Sequence, residues 1–284
     1  MSVLTQGATD APESDAAVQT TVSLGDLHLP RILCLHGGGV NAEAFRLQCR
    51  GLYRALNGTF RLVFANAPYL SPADPGVLPT YAHLQPFRRW LRWQIEQPDP
   101  GADAICQDID NALQQAMDND DATGATGSWV AVMGFSQGAK LAASLMLRQQ
   151  LRAEKLGREN AGSDFKFGVL LAGRAPLVAL GTADLTDSLA LADANELTTG
   201  AFAQITGTFL SGSDHILRIP TLHVHGRQDP GIANHRRLLT DFCEARTTRL
   251  VEWDGDHRVV LQPADVAAVA DGIIALSKQT SALP

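Results

Sequence analysis

A layered α/β domain, with helices on both faces of a mostly parallel sheet, is the architecture this sequence predicts. Three observations point to it. Short apolar runs bounded by Gly, Pro, Asn or Asp recur along the chain, too continuous in hydrophobicity for half-exposed strands and suited to burial on both faces. Segments with apolar residues at helical spacing fall between them, and strands alternating with helices argue for right-handed crossovers in a single sheet. With 284 residues, of which 45% are hydrophobic and 19% charged, the chain has the size and composition of one globular domain of this kind.

Residues 1–25 are rich in Ala, Thr, Ser, Asp and Gln and show no sustained period. They are expected to form a flexible tail, because they bury too little apolar surface to offset the entropy of ordering, and the domain is expected over 26–284. RILCL (31–35) is the first strand, helical spacing covers roughly 41–57, and RLVFA (61–65) is the second strand. A helix follows over 102–117, with Ile105, Ile109, Ala112, Leu113 and Ala116 on one face, and then the strand SWVAVM (128–133). A helix over 137–155, the strand FKFGVLLAG (165–173), the strand TLHVH (221–225), a helix over 231–245, the strand TRLVEW (248–253) and a helix over 263–277 complete the alternation.

Two stretches interrupt it. The first, 68–100, holds seven of the fourteen prolines together with Tyr81, Phe87, Trp90 and Trp93, and the second runs from about 175 to 220. Long insertions in a compact α/β domain serve as lids or binding loops more often than as idle connections, so both are expected to be lid-like.

Gly134-Phe135-Ser136-Gln137-Gly138 follows one strand and opens a helix, the context in which G-x-S-x-G forms a nucleophile elbow. A serine hydroxyl is a poor nucleophile until a base takes its proton, and the base needs a third group to hold its tautomer. Asp229 lies just beyond the strand TLHVH and His257 just beyond TRLVEW, which gives the Ser…Asp…His order of this fold. Asp254 and Asp256 compete as acids but share the loop of His257 and would have to fold back on it. Acyl transfer also needs donors aimed at the developing oxyanion. The backbone N–H groups of Gln137 and of Gly38, in Leu35-His36-Gly37-Gly38-Gly39, are the expected pair, with Gly39 close behind.

Other chemistries fit less well. His223 and His225 alternate on one strand, but no further cluster completes a metal site, so they are expected to be core or sheet-end residues, and neither metal nor cofactor is expected. His36, His83, His215 and His235 have no evident role. Cys34, Cys49, Cys106 and Cys243 show no metal or redox spacing and read as buried thiols. A formal charge of −7 argues against a grip on nucleic acid or an anionic membrane, and no leader-like or membrane-spanning run is seen, so a cytoplasmic location is expected.

These motifs, with His225-Gly226-Arg227-Gln228-Asp229, Gly255-Asp256-His257, Phe64-Ala65-Asn66-Ala67-Pro68-Tyr69 and Arg88-Arg89-Trp90, give a chain that resembles the fungal serine hydrolase family of α/β-hydrolases over about 30–278. It is most similar to members that act as partner thioesterases in fungal polyketide pathways. The resemblance implies a Ser136, Asp229, His257 triad and an acyl thioester substrate on the carrier domain of a polyketide synthase. Tyr69 and Trp90 would then contact the substrate, and Arg88, Arg89 and Arg92 would meet an acidic carrier; the alternative for these arginines is a solvated face over an aromatic core. A carboxylesterase of small free esters and a non-hydrolytic pathway enzyme or binding module on the same fold are the competing functions.

Overall fold

A computed structural model describes residues 26–181, 190–197 and 215–283, so the N-terminal tail and part of the second insertion lie outside the described residues. The apolar runs become strands β1 (Arg31–Leu35), β2 (Arg61–Ala65), β5 (Trp129–Phe135), β6 (Phe167–Leu171), β7 (Thr221–Gly226) and β8 (Thr248–Trp253). They form one sheet in the order β2-β1-β5-β6-β7-β8 with every pairing parallel. The chain leaves β1 toward β2 on one side and returns to β5 on the other. The crevice beyond the carboxyl ends of β1 and β5 is therefore a switch point, the place where open α/β sheets bind ligands.

Alternation along the strands divides the core in two. Leu33, Leu35, Val132 and Leu170 face α4 (Ala102–Asp121), α5 (Gln137–Leu156) and α6 (Ile232–Asp241), while Ile32, Cys34, Met133 and Val169 face α1 (Ala42–Gln48), α2 (Arg50–Leu56) and α7 (Pro263–Gln279). Each side chain so buried contributes on the order of 1.5–3 kcal/mol. β8 is the exception, with an edge-strand burial pattern that leaves Leu250 exposed.

Three helix boundaries depart from their expected positions, each for a tertiary reason. The helix expected over 41–57 is two helices separated at Cys49. Asn41 caps the first through Ala44 N–H, and in the second a Cβ on Gly51 would lie 2.9 Å from Val266 of α7, so α2 packs on α7 at glycine-limited range. α4 runs to Asp121 rather than 117 because Asp120 is buried there, receiving Arg61 Nε at 2.9 Å and Arg31 Nη1 at 3.2 Å from the starts of β2 and β1. α6 stops at Asp241 because Phe242 O and Glu244 N–H bond to Leu217 instead.

The first insertion makes a two-stranded antiparallel pair, β3 (Tyr69–Leu70) and β4 (Arg88–Arg89), with the short helix α3 (Leu78–Tyr81) between them. Its second half is packed onto the domain. Phe87, Arg89, Trp90 and Leu91 are buried, and the segment is bonded to the turn after β1 through Arg88 N–H to Val40 O and Gly39 N–H to Arg88 O. In the second insertion, Leu177, Val178, Leu180, Ala190, Ala192 and Ala194 pack into the core beside α5. Among the described residues no helix is long and apolar enough to cross a membrane.

Candidate active site

Ser136 stands between β5 and α5 with φ 54° and ψ −114°, a left-handed conformation that a side-chain-bearing residue adopts only when its surroundings enforce it. The flanking glycines are part of that enforcement. A Cβ on Gly134 would sit 2.1 Å from Gly138 O, and a Cβ on Gly138 would sit 2.1 Å from Leu35 O, so β1, β5 and α5 converge at distances no other residue permits. Ser136 N–H is tied to Leu171 O at 2.8 Å, which fixes the elbow to the neighbouring strand.

The loops after β7 and β8 bring the partners. Gly226 would place a Cβ 2.5 Å from both Gly255 O and Asp256 O, and Gln228 N–H donates to Gly255 O at 2.9 Å, so the two loops lie against each other. His257 Nε2 is 2.9 Å from Ser136 Oγ, and His257 Nδ1 is 2.5 Å from Asp229 Oδ2. Asp254 is engaged by Gln228 and Arg227, and Asp256 by Arg258; of the three nearby acids it is Asp229 that meets His257. The Asp229 side chain is fully buried, and burial alone would raise its pKa. The hydrogen bond and charge of His257, with Gly231 N–H on Oδ1 at 2.7 Å, outweigh burial and hold it at about 2. The arrangement keeps a carboxylate ionised behind the imidazole and orients a ring nitrogen at the serine hydroxyl.

Of the two glycines weighed as oxyanion donors, Gly39 is spent: its N–H donates to Arg88 O at 2.9 Å, and its φ of 70° belongs to the turn toward Asp74. Among the described residues no acceptor occupies Gly38 N–H. A Cβ there would lie 3.3 Å from Gln137 Nε2, which places the turn directly against the first residue of α5. Two groups that sequence reasoning passed over hold this turn. His36, fully buried and lowered to a pKa of about 4 by that burial, is neutral; its Nδ1–H donates to Gly37 O while Nε2 accepts Ala67 N–H at 3.0 Å. The Gln137 side chain accepts Trp90 N–H and Leu91 N–H and donates to Leu91 O, and Trp90 Nε1–H donates to His36 O. The position of His36, closing a buried strand just before three glycines, was the available signal.

His223, His225 and His235 are core residues, each without exposure, and burial lowers their pKa values to about 3, 4 and 3. They form a row of rings ending at His257, with His235 Nε2 3.6 Å from Asp229 Oδ2. Asp229, His235 and His257 offer ligand atoms within 4.8 Å of one another, but Asp229 and His257 are already joined to each other.

A cavity of about 770 Å³ opens on Ser136 and His257, walled by Val40, Val77, Tyr81, Phe135, Val259 and Leu261. None of the five residues expected to contact substrate or carrier lines it. Trp90 and Arg89 are buried, Arg89 lying over the Tyr69 ring at 4.7 Å and donating to Pro98 O. Tyr69 donates to Asp108, Arg88 to Ala67 O, and Arg92 to Asp99 and Asn195 O. Their polar groups tie the insertion to itself and to the domain, and the arginines on this cavity are Arg50 and Arg258.

A parallel sheet carrying a strained serine at the end of a central strand, with histidine and aspartate loops beyond the later strands, is the architecture of an α/β-hydrolase. The chain belongs to the serine hydrolase (FSH1) family, whose model matches residues 27–265. It is 51% identical to esterase claE of Penicillium crustosum over 92% of this chain and 97% of that one, and 51% identical to esterase citA of Monascus ruber over 93% and 99%. Among solved structures it is similar in fold to acyl-protein thioesterase 2 of Zea mays, at 18% identity and a TM-score of 0.52 over 88% of this chain and 94% of that one. Esterase PE8 matches at 15% identity and 0.50, over 88% and 93%.

Proposed function

We propose that Ser136, His257 and Asp229 are a catalytic triad that hydrolyses an acyl thioester in two steps. The observation that carries this reading is the hydrogen-bonded line from Ser136 Oγ through His257 to a buried, ionised Asp229, opening on a cavity of about 770 Å³. His257 Nε2 takes the serine proton as Oγ attacks the carbonyl carbon, and Asp229 stabilises the imidazolium that forms. The Gly38 and Gln137 N–H groups, the latter at the positive end of α5, receive the oxyanion. The imidazolium then protonates the departing thiolate to give the free thiol, and water activated by the same histidine releases the acid and restores Ser136.

The acyl group is proposed to be a polyketide-type chain on the phosphopantetheine arm of a carrier, in fungal secondary metabolism. The family resemblance supports this, and a cavity of about 770 Å³ with Val40, Val77, Tyr81, Phe135, Val259 and Leu261 in its lining suits a long acyl chain. Carrier docking, if it uses arginine, falls to Arg50 and Arg258 rather than to Arg88, Arg89 and Arg92. A second reading, a carboxylesterase of free esters, is favoured by the esterase names of both relatives. One acyl group offered as a matched oxygen ester and pantetheine thioester separates them. Preference for the thioester supports carrier-linked release; preference for the oxygen ester supports the second reading.

A further inference from the structure

The two oxygens of the buried Asp229 are met differently. Oδ2 faces His257, whereas Oδ1 accepts Gly231 N–H at 2.7 Å and has Arg174 Nη2 at 3.9 Å. Arg174 lies just beyond β6, and the backbone on both sides of it is pinned. Ala172 N–H donates to Val224 O of β7 at 3.0 Å, and Ala175 N–H donates to Asn234 O of α6 at 3.2 Å. Asp229 stands between β7 and α6, so the same two elements hold the carboxylate and the guanidinium together. The guanidinium also lies against the Gly231 backbone, where a Cβ would come within 2.8 Å of Nε and Nη2.

Taken alone, this is an unfavourable place for an arginine. Its Nε is buried and, among the described residues, meets no acceptor. Lys140, buried in α5, is a second cation nearby; burial, and then the charge of Arg174, lowers its pKa to about 8. Cations so placed need a compensating anion, and Asp229 is the carboxylate within ion-pair range of Arg174.

We infer that Arg174 is the counter-ion of Asp229 in the resting enzyme and sets how readily the Asp229–His257 pair takes up a proton. This inference rests on the hydrolase reading of Ser136 and deepens it with a positioning residue that touches no reacting atom. Before the serine proton moves, the imidazole is neutral and the carboxylate behind it is an anion in the interior. A guanidinium keeps its charge at every working pH and balances that anion. The same fixed charge opposes protonation of the pair, and a protonated pair cannot act as the base. The other groups around the pair do not titrate in step with it. His225 of β7 and His235 of α6 stay neutral down to pKa values of about 4 and 3, and Lys140 stays charged below about 8. Asp256 and Arg258, beside His257, are paired with each other, and Glu196 acts on Lys140.

The test is the pH dependence of kcat/KM for an acyl pantetheine thioester and its matched oxygen ester, using the wild type, Arg174→Gln, Arg174→Met and Arg174→Lys. Each sample is also returned to neutral pH and assayed again, which separates titration from unfolding. In the two neutral variants the acidic limb is expected about 0.5 to 1 pH unit higher than in the wild type, a modest shift because the Arg174 side chain is 34% exposed and partly screened. Arg174→Lys keeps the charge and is expected to keep the limb near its wild-type position. An unmoved limb in the neutral variants overturns the inference, even if activity falls at every pH, and so does an equal displacement in Arg174→Lys. If Arg174→Gln does not fold, Arg174→Met decides. Turnover that persists in Ser136→Ala would instead defeat the hydrolase reading, so the two failures are distinguishable.

Discussion

Gly138, in the first turn of α5, approaches Leu35 at the end of β1 so closely that a Cβ would lie 2.1 Å from the Leu35 carbonyl oxygen. This contact sets the serine-bearing elbow against the turn that carries Gly38. Gly138→Ala is expected to force the two apart, lowering stability by about 2–4 kcal/mol and abolishing most activity. Thermal unfolding with a parallel assay checks it; a variant with wild-type stability would show that the approach is not tight.

Gln137 joins the elbow to the first insertion through Trp90 N–H, Leu91 N–H and Leu91 O. Gln137→Leu leaves two buried donors unmet and should lose about 2–5 kcal/mol of stability. Gln137→Glu keeps the acceptor and should lose less. Denaturant midpoints for the pair test whether the side chain, beyond its backbone N–H, is a structural tie.

Asp229 lies behind His257 at 2.5 Å. Asp229→Asn preserves shape but removes the charge and the tautomer control, so kcat is expected to fall about 10³- to 10⁴-fold with little change in KM. An equal loss from Asp254→Asn, with Asp229→Asn mild, would reassign the acid.

Acid should unfold this protein early. His36, His223, His225 and His235 are held neutral with pKa values of about 3 to 4, below the ordinary 6.5. Between those limits the unfolded chain binds more protons than the folded one, so stability is full above pH 6.5 and is lost as pH falls toward 4. The loss reaches several kcal/mol by about pH 5. Asp229, held at about 2, adds the same sign between about pH 4 and 2. Tryptophan fluorescence against pH should show an unfolding midpoint above pH 4, moved lower by His223→Gln.

The six strands were legible as short apolar runs bounded by turn residues; RILCL, RLVFA and TRLVEW are strands over the same residues the pattern marks, although only RILCL of these is buried on both faces. The serine, histidine and aspartate were legible because each directly follows such a run. The break at Cys49 was not, since the apolar period continues through it and the cause is Gly51 against α7. The packing of Arg88, Arg89 and Arg92 was not legible for a related reason. Arginine is ordinarily exposed, and the sequence pattern does not announce that Tyr69 and Pro98 O, within the same insertion, receive Arg89 in the interior. The cavity wall has the same character, assembled in part from the ends of α1 and α3 and the loop after β8.

The most direct test of the account is hydrolysis of one long acyl group, presented as an oxygen ester and as a pantetheine thioester, by the wild type and by Ser136→Ala. The account predicts turnover that favours the thioester and falls by about 10⁴-fold or more in the variant. Absence of Ser136-dependent turnover of either compound would contradict it.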